Sequence, residues 1–86
     1  MPRFYFDVHE GSRFAPDPEG MEFPDLRAAE HQAAMAAAGL AHDLLPQQEA
    51  PVVAIAVRTE PGQRLLTLRV ALEVDREPTA VPPSRA

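Results

Sequence analysis

Cysteine, tryptophan and lysine are all missing from this chain of 86 residues. Without cysteine there are no disulfides, no thiolate ligands for zinc and no cysteine nucleophile. Small secreted domains commonly offset a thin core with disulfides, so their absence points to the cytoplasm. The opening Met1-Pro2-Arg3-Phe4 runs straight into a strand pattern and lacks the apolar segment of a signal peptide. Long apolar runs are missing too. The longest stretch of small apolar residues, Ala33 to Ala41, falls well short of the ~20 residues that span a bilayer, so no membrane partner is expected. Positive charge is also scarce: eight arginines are scattered among thirteen acidic residues, for a net charge of −5. Nucleic-acid binders carry a basic footprint because phosphate neutralisation supplies much of their affinity, so no nucleic acid is expected. The chain has no phosphate-binding glycine loop, no zinc spacing and no serine elbow. On that ground no enzyme activity and no cofactor are expected.

What is present is patterning. Hydrophobic residues make up 45% of the chain, enough for one small core. From Arg3 to His9, Phe4, Phe6 and Val8 alternate with Tyr5, Asp7 and His9, the period of a half-buried strand. Glu10-Gly11-Ser12 offers a turn and Arg13-Phe14 a possible return. The stretch Ala15-Pro16-Asp17-Pro18-Glu19-Gly20 then breaks pairing, and Met21-Glu22-Phe23 resumes it as a short second strand.

Pro24-Asp25-Leu26 is a helix start, with Asp25 as N-cap but Ala28 where a full capping box wants Glu or Gln. Leu26, Ala29, Ala33, Ala36, Ala37, Leu40 and Leu44 recur at helical spacing and predict a thin, mostly alanine face. Gly39 either permits close packing or weakens the last turns, Pro46 stops the helix, and Gln47 to Pro51 read as a loop. Val52 to Thr59 is a third strand. Glu60-Pro61-Gly62-Gln63 is a turn of the Pro-Gly kind, and Leu65 to Asp75 is the fourth strand. Residues 1–76 are read as one domain and 77–86 as a disordered proline-rich tail.

Both hairpins have one apolar face and the helix has one apolar stripe. The simplest packing is an α+β two-layer sandwich, ββ-α-ββ, with one helix on a four-stranded, mainly antiparallel sheet. Strand three lies beside strand one, in the order 2-1-3-4, or else strand one lies beside strand four; the alternation leaves both open.

One helix covers one side of such a sheet, so the other side meets solvent or a partner. That outer face is predicted to carry Tyr5, Asp7, His9, Arg58, Leu65, Thr67, Arg69 and Glu73, which are the candidate partner-binding residues, around Ala54, Ala56 and Ala71. An exposed edge strand is a second route to self-association. The acids Asp7, Glu10, Asp17 and Glu19 could hold a hard cation, but the spacing fits no EF-hand, and the plainer reading is a turn whose acids cap backbone N–H groups. His9 could meet Asp7 as part of an acid–base pair, while His31 and His42 stand about three helical turns apart, too far to share a metal.

The run Met1-Pro2-Arg3-Phe4-Tyr5-Phe6-Asp7-Val8, then Gly11, Asp17-Pro18-Glu19-Gly20 and Glu22-Phe23-Pro24-Asp25, resembles a family of small bacterial domains of unknown function. The likeness extends from Pro2 to about Asp75, with Glu10 standing where the family pattern has Asp. It implies the fold and a bacterial origin, and no activity. A looser, fold-level likeness ties the strand pair, Glu22-x-Pro24-Asp25-Leu26 and the alanine-rich helix to the antitoxin-side domain of HicA–HicB type systems, which bind a small toxin and oligomerise. Three readings follow. The first is a non-enzymatic interaction module that forms a homodimer or binds a protein partner. The second is an antitoxin-like or regulatory protein that neutralises a partner, and the last a metal-dependent enzyme built on Asp7, His9, Glu10, Asp17 and Glu19.

Overall fold

The computed structural model describes residues 1–47, 52–60 and 62–78. The elements run β1 (Arg3–Glu10), β2 (Arg13–Ala15), β3 (Met21–Glu22), α1 (Leu26–Leu44), a short 3₁₀ helix (Leu45–Gln47), β4 (Val52–Thr59) and β5 (Arg64–Ala71). This is the α+β, ββ-α-ββ arrangement with one helix against an antiparallel sheet. The sheet order is β2-β1-β4-β5, and β3 also pairs with β1. Of the two orders left open by the alternation, the third long segment lies beside the first. The predicted second strand is β3, and the possible return at Arg13-Phe14 is a strand of its own, β2, so among the described residues there are five strands where four were predicted.

Asp25 opens the helix as expected, its carboxylate accepting from the Ala28 N–H at 2.9 Å. The buried row is Ala29, Ala33, Ala37 and Ala41, four residues apart, with Ala36, Leu40 and Leu44 half-buried at its flanks. Leu26 is exposed, contrary to the predicted stripe: the row that meets the sheet starts one turn later, at Ala29. Because alanines carry so little bulk, the volume between the layers is filled from the sheet. Val53, Ile55 and Val57 of β4 are at most 1% exposed. Each buried aliphatic side chain of that size contributes about 1.5–3 kcal/mol. Phe4 completes the centre, and Phe23 stacks on Phe6 at 5.8 Å between ring centroids. Gly39 is exposed, and a methyl group there would meet nothing, so it weakens the helix rather than allowing a close approach.

Two predicted features of the last strand need correction. Its alternation continues to Val74, yet pairing ends at Ala71, opposite Val52, where β4 itself begins. Leu72 and Val74 are therefore exposed, and Glu73 lies beyond the sheet. Second, the register with β4 slips between Val57 and Arg58, which face Leu66 and Arg64 respectively. Leu65 is the extra residue of that bulge. The turn before it keeps a glycine at positive φ, Gly62 at 125°, and is closed by the Thr59 N–H donating to the Gln63 carbonyl at 2.9 Å. Pro61, the loop positions 48–51 and the tail from 79 to 86 lie outside the described residues.

Candidate functional site

The outer face of the sheet divides into two groups of side chains. The first is built on the Pro16–Gly20 turn. Asp17 sits between two prolines that hold the chain off β1, and its carboxylate takes the backbone donors this leaves unpaired. Oδ1 accepts from the Glu19 and Gly20 N–H groups at 3.1 Å, and Oδ2 from the Phe6 N–H at 3.1 Å. The Asp17 N–H in turn donates to Asp7 Oδ1 at 2.9 Å. Asp7 is only 5% exposed, and its other oxygen accepts from Arg58 Nε at 2.6 Å. Arg58 also donates to the Asp17 carbonyl at 3.1 Å, and its guanidinium lies 4.6 Å from the centroid of the Tyr5 ring. Tyr5 donates its hydroxyl to Glu60 Oε1 at 3.0 Å. A concavity of about 510 Å³ lies over the group, lined by Tyr5, Pro16, Asp17, Pro18, Arg58 and Glu60.

The protonation states follow from these bonds. Partial burial pushes the Asp17 carboxyl up. The N–H groups of Gly20, Phe6 and Glu19, with the charge of Arg58, outweigh that and hold it below its ordinary value. Arg58 is held protonated still more firmly, mainly by its bond to Asp7. The Tyr5 phenol is pushed up, first by its bond to Glu60 and then by burial. All three groups are fixed in their ordinary charge states at neutral pH and are engaged with one another. The arrangement secures the turn to the sheet.

Gly20 closes that turn at a φ of +71°. A Cβ there would stand 2.8 Å from the Phe4 carbonyl oxygen and 2.9 Å from the Tyr5 ring, so only glycine fits.

The second group lies toward β5. On the central strand, Ala54 stands between His9 and Arg69, and Ala56 between Asp7 and Thr67. Those alanines form a low floor, and a concavity of about 340 Å³ is lined by His9, Ala54, Ala56, Arg64, Thr67 and Arg69.

The predicted partner-binding residues are thus separated. Tyr5, Asp7 and Arg58 belong to the turn group, and His9, Thr67 and Arg69 to the second concavity. Leu65 is exposed in the bulge, with Arg64 taking its place on the face, and Glu73 is off the sheet. His9 does not pair with Asp7, whose oxygens are taken by Arg58 and Asp17; its ring lies 4.4 Å from Phe14 instead. The acidic loop follows the plainer of its two readings, since the Asp17 carboxylate caps three backbone N–H groups. Among the described residues no three His, Asp or Glu side chains are placed to hold a metal ion. Glu60, Pro16, Pro18 and Arg64 were not anticipated as site residues. The D-x-E-G turn was a signal for Pro16 and Pro18, since an Asp that caps its own turn draws the neighbouring chain over the sheet.

No helix among the described residues is long and apolar enough to cross a membrane. The model of a protein family described as a domain of unknown function, DUF6894, matches residues 3–71. No curated protein and no solved structure matches the chain.

Proposed function

The chain belongs to this DUF6894 family of domains of unknown function, and from that premise we propose that it is a non-enzymatic interaction module that self-associates by pairing β5 with β5 of a second copy. One observation carries the reading. β5 is eight residues long, pairs with β4 along one side, and is the end strand of the sheet. Among the described residues no strand lies against its other side, whose backbone N–H and C=O groups are a template for adding another strand.

Side chains support the same reading. Leu66, Leu68 and Val70 face the helix layer and pack on its core, yet they stay half-buried at the end of the sheet. A twofold axis through the middle of β5 sets these residues beside their own copies and covers them further. Leu65 and Leu72, at the two ends of the strand, are 37% and 46% exposed. A domain of this size gains a useful margin of stability from such association. The non-enzymatic part of the reading rests on the turn group, whose charged side chains are bonded to one another rather than directed at a ligand.

Sedimentation equilibrium of the full chain over a wide concentration range tests the proposal. A monomer–dimer equilibrium is expected, displaced to monomer when Leu65→Lys and Leu72→Lys are combined, because charged side chains blunt an edge. A monomer at every concentration overturns it. The antitoxin-like reading uses the same edge for a different protein, and a partner whose binding is lost in the double-lysine variant would favour it over self-pairing.

A further inference from the structure

The charge of the second concavity is opposite in sign to that of the chain. Against a net charge of −5, it is lined by Arg64, Arg69 and His9, with no carboxylate on its walls. Arg3, Arg13 and Arg58 are each ion-paired, whereas Arg64 and Arg69 have no such partner among the described residues. Asp7, the acid beside Ala56, is buried and bonded to Arg58. Two guanidinium groups sharing one hollow repel each other unless an anion lies between them.

The backbone explains how both arrive there. Arg69 is outward by simple alternation, opposite Ala54. Arg64 is brought to the same face by the bulge at Leu65, which places it opposite Arg58. Five residues of strand separate them, roughly 16 Å at about 3.3 Å per residue before the bulge shortens it. Two long side chains leaning in from the ends leave room for a ligand charged at each end. Thr67 lies between them with a hydroxyl that can donate to its middle.

We propose that this concavity binds an extended oxyanion with an anionic group at each end, Arg64 taking one end and Arg69 the other. Planar guanidinium forks suit phosphoryl and carboxylate oxygens alike, so the class includes diphosphates and small dicarboxylates. The hollow is on the face of the sheet and not on its edge, so binding is read whether or not the chain associates.

Titration of the full chain with pyrophosphate, glutarate and acetate, followed by backbone amide shifts, tests this. The two-headed ligands are expected to shift Ala54, Ala56 and Thr67 saturably. At least one of them should bind about tenfold more tightly than acetate. Arg64→Gln and Arg69→Gln should each reduce that affinity to the acetate level, and Arg13→Gln should leave it unchanged. Both arginines are exposed, so unliganded melting temperatures should not move. Equal affinity for acetate and both two-headed ligands, or a loss in only one of the two glutamine variants, overturns the proposal. The stronger of pyrophosphate and glutarate identifies the ligand as phosphoryl or carboxylate.

Discussion

Along one edge of the sheet, β1 is covered twice, by three residues of β2 and two of β3, with the Asp17 turn between them. Along the other, β5 runs for eight residues with no strand among the described residues on its outer side. The covered edge uses two prolines, which cannot donate to a ladder, and an aspartate that takes up the N–H groups the turn leaves over. The bare edge has neither device. Of its residues only Arg64 and Arg69 are charged, and both lie on the sheet's face around the concavity. A sheet with one edge closed this thoroughly and the other open offers further strand pairing in one direction only. That asymmetry is the physical content of the self-association proposed for β5.

The largest effect is expected from opening the covered edge at its tightest point. Gly20→Ala combines a left-handed backbone with a Cβ less than 3 Å from Phe4 and Tyr5. Left-handed strain and overpacking together destabilise by about 2–4 kcal/mol. For a domain of this length that lowers the melting temperature by roughly 10–25 °C, which calorimetry reads directly. Gly11→Ala shares the positive φ but meets no neighbour, so its loss should be clearly smaller.

Next in size is the acid network. Asp7→Ala removes the partner of Arg58 and of the Asp17 N–H, and losing hydrogen bonds to a charged group at a buried site destabilises by about 2–3 kcal/mol. The same network sets an acid limb. The Asp17 carboxyl is held below its ordinary value of 3.8 in the folded chain. Its contribution is therefore complete above that value and disappears as pH falls through the lowered one. In Asp17→Asn the amide nitrogen faces either the Phe6 N–H or those of Glu19 and Gly20, donor against donor. That variant should be less stable at neutral pH and should have a flatter pH dependence below about pH 4, measured by urea unfolding across the acid range.

The two edges were not equally legible in the sequence. Alternation identified β1, β4 and β5 and their inward faces, because the side-chain period of a strand is a local property. The alanine row of α1 was legible for the same reason. The end of β5 was not: the alternation runs on to Val74, and pairing stops where β4 stops, at a residue distant in sequence. Arg64 was hidden by a single inserted residue, since a one-residue bulge moves everything before it to the opposite face. In the site, Tyr5, Asp7 and Arg58 were found from their shared face. Asp17 was singled out as acidic, but its donors include Phe6, eleven residues back, and its carbonyl holds Arg58, forty-one residues on. Contacts of that range leave no periodic trace.

The open edge is expected to respond in the opposite manner to the covered one. Leu65→Lys with Leu72→Lys changes two exposed side chains, so the monomer's stability should shift by no more than about 0.5 kcal/mol per site. Association, by contrast, should be lost. Sedimentation and thermal melts on the same samples separate the two effects. A large drop in monomer stability without a change in mass would mean that these leucines belong to the core and not to an interface.

The smallest effect concerns what does not hold the covered edge. Arg3 and Glu22 join β1 to β3 by an ion pair at 3.4 Å, with side chains 43% and 51% exposed. Water screens such a pair, and ordering two long side chains offsets most of the attraction, leaving about 0.2–1 kcal/mol. Glu22→Gln keeps the size and the acceptor oxygen while removing the charge, so it should fall at the bottom of that range. Added salt should leave the variant and the parent equally stable, because little electrostatic energy is left to screen. The contrast with Asp7→Ala is the informative comparison. Both remove one carboxylate of an ion pair that ties β1 to another strand, but Asp7 is 5% exposed and also accepts a backbone N–H. If Glu22→Gln proved as damaging as Asp7→Ala in denaturant titrations, the edge would be held by its surface charges, and the buried carboxylates would lose their special place in it.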